Sequence, residues 1–109
     1  MDIAFYGTKP YDKLWFEPLS QEYGYNIHFI EAGISEDTLV LAEGCMAVCV
    51  FVNDYITENI AHKLSDMGIK LILLRCAGFN NVDLKAVKEY GIKVLCLTTW
   101  LHHNIYIEQ

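Results

Sequence analysis

Leu73-Leu74-Arg75-Cys76-Ala77-Gly78-Phe79-Asn80-Asn81-Val82-Asp83 is the stretch on which the reading of this chain turns. It continues an apolar run, so residues 70–74 read as a strand that ends in a charged side chain and a loop of small residues. A helix is expected next, with Asn80, Asn81 and Asp83 as candidate caps. Strand, short loop and helix in that order put unpaired backbone N–H groups at a helix start, a setting suited to an anion such as a carboxylate. On this reading the amides of Ala77, Gly78 and Phe79 hold a substrate carboxylate, and Gly78, with no side chain, lets it come close. The same residues also suit an ordinary βα turn in which the glycine merely permits the bend.

Outward from this loop, strand and helix signals alternate along the chain. Residues 2–6 read as a first strand, and 11–23 as a helix with apolar Leu14, Trp15 and Leu19, interrupted or kinked by Pro18 and stopped by Gly24. Residues 26–30 alternate as a second strand. Ser35 is expected to cap a short helix through 42, closed by Gly44. The β-branched run 46–52 has the look of a central parallel strand. Thr57 can cap a helix over 58–67 whose Ile60, Ala61, Leu64 and Met67 share a face. Residues 83–90 form a further helix with Leu84, Val87 and Tyr90 inward, and 92–97 a last strand. Strands alternating with short amphipathic helices imply right-handed crossovers, hence an α/β fold: a flavodoxin-like doubly wound parallel sheet of about five strands. Such sheets bind ligands beyond the carboxyl ends of their strands. That directs attention to loops 7–10, 53–56 and 75–81 and to whatever follows 97.

Composition narrows the function classes. The 109 residues carry a net charge of −6, which argues against nucleic acid, since phosphate binding needs clustered Lys and Arg. No run approaches a membrane span, and the start lacks the basic-then-apolar pattern of a signal peptide. Cys45, Cys49, Cys76 and Cys96 lie in or beside apolar runs and read as reduced buried thiols in the cytoplasm rather than a disulfide or metal knuckle.

Other candidates surround the loop. Asn53 and Tyr55 follow the central strand near a switch point and are candidate pocket residues, though the same segment suits a polar turn. Arg75 could balance a bound anion or pair with a nearby carboxylate or carbonyl. Adjacent His102 and His103 have no carboxylate placed to orient them, and neither a catalytic nor a metal site is assigned. No G-x-G-x-x-G, P-loop or G-x-S-x-G occurs, so no dinucleotide or nucleophile-elbow site is read within these residues.

The central loop, Tyr6-Gly7-Thr8-Lys9-Pro10-Tyr11-Asp12-Lys13, Ala47-Val48-Cys49-Val50-Phe51-Val52-Asn53-Asp54 and residues 84–94 together resemble the N-terminal segment of the NAD-dependent D-2-hydroxyacid dehydrogenases, and within them the fermentative D-lactate dehydrogenases. The resemblance implies a flavodoxin-like substrate domain interrupted by a Rossmann domain that binds NAD. It implies a small 2-keto or 2-hydroxy acid as substrate, a homo-oligomer and a cytoplasmic location. It also implies a substrate carboxylate on Ala77-Gly78-Phe79. The Arg, Glu and His that do the family's chemistry belong to segments with no match here, so no catalytic residue is carried over and whether this chain is itself an enzyme stays open. The likeness runs to about Leu95. The expected organisation is a partial substrate domain over 1–95, without the Rossmann insert, and a divergent tail over 96–109, as a reading-frame shift would produce. An uncovered apolar surface and self-association are expected to follow. The alternative is a stand-alone flavodoxin-like module that binds a small carboxylate or a partner without chemistry.

Overall fold

The computed structural model describes residues 1–51, 53–75, 81–99 and 104–107, apart from the side chains of 15, 19, 96–99 and 104–107. Among the described residues six strands form one sheet: β1 (Asp2–Phe5), β2 (Asn26–Phe29), β3 (Ala47–Val50), β4 (Leu71–Leu74), β5 (Lys93–Thr99) and β6 (Asn104–Ile107). Their spatial order is β2-β1-β3-β4-β5-β6. The first five pair in parallel, with Ile3 beside Ile27 and Ala47, and Ile72 beside Val48 and Val94. That is the flavodoxin-like doubly wound order, with its switch point between β1 and β3. β6 returns antiparallel along β5, pairing Cys96 with Tyr106, an element the sequence reading did not foresee because the 96–109 segment carries no clear strand period.

Among the described residues three α-helices lie in the crossovers from β1 to β2, β3 to β4 and β4 to β5: α1 (Pro10–Tyr23), α2 (Glu58–Asp66) and α3 (Leu84–Glu89). α1 runs through Pro18 as one element. Its start is set by Pro10 in the first turn and by a reciprocal cap, the Asp12 carboxylate accepting from the Lys9 amide at 2.8 Å. Thr57 caps α2 through Oγ1, which accepts from the Ile60 amide at 3.3 Å.

The helix expected over 35–42 is only a single 3₁₀ turn, Leu39–Ala42. Local polar bonds win there. Thr38 Oγ1 donates to the Gly33 carbonyl at 2.9 Å and accepts from the Ser35 amide at 2.8 Å, which holds the chain in a turn. A segment this short, with β-branched Thr38 and Val40, has too few intrahelical bonds to outweigh them.

Alternation along the strands divides the core. Ala4, Tyr6, Val48, Val50, Ile72, Leu74 and Val94 face one side and are sealed by Ile60, Ala61 and Leu64 of α2, Ala86 and Val87 of α3, and Leu39. Ile3, Phe5, Ala47, Cys49 and Leu73 face the other, where the Phe16 ring of α1 lies 4.8 Å from Phe5. Ile27, Phe29, Leu71 and Leu95 on that side are only partly buried.

Candidate functional site

The loops at the carboxyl edge of the sheet are tied together by four polar side chains, Asp12, Asp54, Arg75 and Asn81, all buried. Arg75 ends β4 on the α1 side. The residue is 7% exposed, and its guanidinium carbon lies over aromatic rings, 4.3 Å from the centroid of Phe5 and 5.2 Å from that of Phe51. Nη1 donates to Asp12 Oδ2 at 3.3 Å, and Nη2 donates to the carbonyl of Tyr6. One side chain thus joins the end of β4 to the turn after β1 and to the start of α1. Gly7 makes the turn beside it, with a φ of +66° that suits a residue without Cβ.

Asp54 organises the next loop. Oδ2 accepts from the Phe51 amide at 2.9 Å and Oδ1 from the Ile34 amide at 3.1 Å. Gly33 is pressed so close that an added Cβ would fall 2.6 Å from Oδ1. With both carboxylate oxygens engaged by amides, Asp54 is a loop brace rather than an exposed acceptor. Asn81 supplies the matching tie from beyond residues 76–80. Its Nδ2 donates to the carbonyls of Phe51 at 3.0 Å and Asp54 at 2.8 Å. Backbone bonds from Ile56 N to Asn81 O and from Asp83 N to Ile56 O, at 2.8 and 2.9 Å, make a short parallel bridge between Ile56 and Val82.

Of the sequence candidates, Arg75, Asn53 and Tyr55 lie at this edge. Arg75 is buried and bonded within the protein, whereas Asn53 is exposed and Tyr55 is 64% exposed. Ala77, Gly78 and Phe79 lie outside the described residues, as do Cys76, Asn80, His102 and His103; their flanks Arg75 and Asn81 do not. The helix cap falls to Asp83, whose Oδ1 accepts from the Ala86 amide at 3.1 Å, while Asn81 is spent on the neighbouring loop. Asp12 and Asp54 were not singled out from the sequence, and Asn81, read there as a candidate helix cap, ties the neighbouring loop instead. The signal for Asp12 was available, an acid three residues after the residue preceding Pro10; that for Asn81 was not, because a bond between distant loops leaves no period in the sequence.

The family model of the D-isomer specific 2-hydroxyacid dehydrogenase catalytic domain matches residues 3–103. The chain belongs to that family. Among curated dehydrogenase relatives, the 2-hydroxyacid dehydrogenase homolog of Haemophilus influenzae is 46% identical over 95 residues, covering 87% of this chain and 29% of the relative. The D-lactate dehydrogenase of Escherichia coli K12 is 45% identical with the same coverage. The apo-structure of D-lactate dehydrogenase from Escherichia coli superposes with a TM-score of 0.86 at 43% identity, over 91% of this chain and 32% of that one. A D-isomer specific 2-hydroxyacid dehydrogenase from Lactobacillus delbrueckii ssp. bulgaricus, solved as an NAD complex, gives 0.83 at 28% identity, over 91% of this chain and 30% of that one. The chain therefore spans about three-tenths of the length of these dehydrogenases.

NAD is thus the cofactor that the family implies, and the crevice between β1 and β3 is where a doubly wound sheet would most readily take it. The residues there do not fit a pyrophosphate. Pro10 has no N–H, the Lys9 amide is taken by Asp12, and a carboxylate stands where the anion would enter. Among the described residues, no helix is long and apolar enough to cross a membrane, and no group of three His, Cys, Asp or Glu could hold a metal ion.

Proposed function

We propose that this chain is the carboxylate-holding part of the substrate domain of an NAD-dependent D-2-hydroxyacid dehydrogenase. The parent reaction is that of a D-lactate dehydrogenase, in which pyruvate, NADH and a proton give D-lactate and NAD. In this reading the backbone amides of Ala77, Gly78 and Phe79 receive the carboxylate of the 2-keto acid, and Asn53 and Tyr55 line its approach. Arg75 supports the loop with its charge already balanced by Asp12. The observation that carries the proposal is the placing of Arg75 and Asn81, the residues that flank 76–80, at the carboxyl edge of the sheet in a chain that matches the family over residues 3–103.

The division of labour is also part of the proposal. Residues 1–95 are assigned to the partial substrate domain and 96–109 to a divergent tail. Hydride and proton transfer belong to parts of the family that these residues do not match. The compartment proposed is the cytoplasm, in keeping with buried thiols at Cys45 and Cys49. The test is a titration of the purified 109-residue chain with NADH and pyruvate, followed by nicotinamide absorbance and fluorescence. Pyruvate is expected to bind weakly, NADH not to bind, and no NADH to be consumed. Oxidation of NADH by this chain alone would overturn the proposal.

A further inference from the structure

We propose that the outer edge of β2 is a homodimer interface, at which two copies of this chain pair β2 with β2 antiparallel about a two-fold axis through His28, with Lys13 of one copy facing Glu17 of the other. This goes beyond the carboxylate reading and does not depend on it. β2 closes the sheet on one side, with β1 as its strand neighbour among the described residues. The Asn26 amide donates to the Met1 carbonyl and the Ile30 amide to that of Phe5, both at 2.9 Å, so residues 26, 28 and 30 spend their backbone groups on β1. Ile27 and Phe29 alternate with them and turn theirs outward. Residues 26–29 carry none of the devices that blunt an edge: they hold no Lys and no Pro, and their register is unbroken.

One register of self-pairing uses both outward residues. With Ile27 opposite Phe29 of the second copy, and Phe29 opposite its Ile27, each exchanges a full pair of backbone hydrogen bonds. Moving the axis to Ile27 would set Phe29 against Tyr25, whose amide and carbonyl are both taken by Ser20. The axis through His28 brings the two His28 side chains together on the face opposite α1, each with an Asp2 carboxylate 3.6 Å from its Nε2.

α1 selects a second copy over any other strand. It straddles β1 and β2: the Phe16 ring lies 4.8 Å from that of Phe5, and Lys13 Nζ lies 5.6 Å from the centroid of Phe29. Further along, the Ser20 hydroxyl donates to the Tyr25 carbonyl. α1 therefore runs against β2, and His28 lies level with the turn between Lys13 and Glu17. These two residues are exposed, opposite in charge and four apart, so they share one side of the helix. Strand spacing puts α1 and its symmetry copy about 10 Å apart and antiparallel, an ordinary packing distance. Lys13 then meets Glu17 of the copy, and Glu17 its Lys13. An edge that complements itself in backbone groups and in charge about one axis has what an isologous dimer requires.

The test combines cysteine cross-linking with sedimentation equilibrium of the full chain. His28→Cys, whose thiols face each other across the axis, should give a disulfide-linked dimer under mild oxidation, whereas Asn26→Cys and the wild type should not. Equal cross-linking at 26 and 28, or none at 28, overturns the proposal. Lys13→Glu and Glu17→Lys should each weaken dimerisation about tenfold, because each sets like charges together twice. An equimolar mixture of the two variants should recover the wild-type constant. Single variants that dimerise as wild type does, or a mixture without recovery, overturn it. In a Leu71→Lys background, which blocks association through the half-covered face, the dimer should persist; its loss there assigns the association to that face and overturns the proposal, as does a wild-type chain that stays monomeric.

Discussion

The two faces of the sheet are cut from the same strands and finished differently. Ile72 and Leu73 are neighbours on β4, yet Ile72 meets a face closed by α2, α3 and the 39–42 turn, whereas Leu73 meets one that only α1 covers among the described residues. On the first face, residues from three strands, Ala4, Val48, Val50, Ile72 and Leu74, are fully buried. On the second, Leu71, Leu95, Ile27 and Phe29 remain half-buried, and α1 turns Tyr11 and Leu14 outward at 59% and 78% exposure. Strand residues apolar on both sides are the mark of a sheet meant to be covered twice. The second cover is thin here, and these residues amount to about three-tenths of the dehydrogenases they match.

The contrast can be broken most directly by truncating the two neighbours. Ile72→Ala should destabilise the chain by about 4 kcal/mol and Leu73→Ala by about 2 kcal/mol in urea unfolding, because a loosely covered site collapses more easily than a sealed one. Equal losses would show the second face to be as well sealed as the first. A milder effect is expected in solution. The half-covered face should make the chain self-associate, and Leu71→Lys should move sedimentation profiles toward the monomer. A wild-type chain that stays monomeric at all concentrations would remove the asymmetry's main consequence.

The smallest effect belongs to the sealed face. Tyr6 is buried and donates its hydroxyl to the Thr38 carbonyl at 2.8 Å. Burial first, then the charges of Cys45 and Asp54, push its phenol up from 10.0 to about 12. The neutral form is therefore favoured by folding. Its contribution is complete below pH 10 and is lost as the pH rises from there through about 12. Tyr6→Phe should lower stability at neutral pH by about 1 kcal/mol and flatten the alkaline part of a stability-against-pH curve. An unchanged alkaline slope would place that loss in other groups.

Much of this architecture was legible in the sequence. The parallel strands and the switch point follow from the alternation of β-branched runs with helices closed by Gly24, Gly68 and Gly91, and the structure places all three with positive φ. What escaped was set by competition or distance. The segment around Thr38 has a helix-like composition but prefers its own side-chain bonds to Gly33 and Ser35. β6 depends on a partner strand that no local period announces. At the candidate site, the loop and its arginine stood out by position, but the use made of Arg75 did not. Its choice between an anion and an internal partner depends on Asp12, 63 residues earlier in the chain, and on two rings brought together only by the sheet.

The place of β1 between β2 and β3 has a consequence for synthesis. β1 leaves the ribosome before β2 and β3 and has to wait for both, and the second of these ends only at Val50. Until then the apolar Ile3 and Phe5 have just one flank to lean on, so the nascent chain passes through a stage in which its future centre is an open rim, the kind of species that chaperones capture.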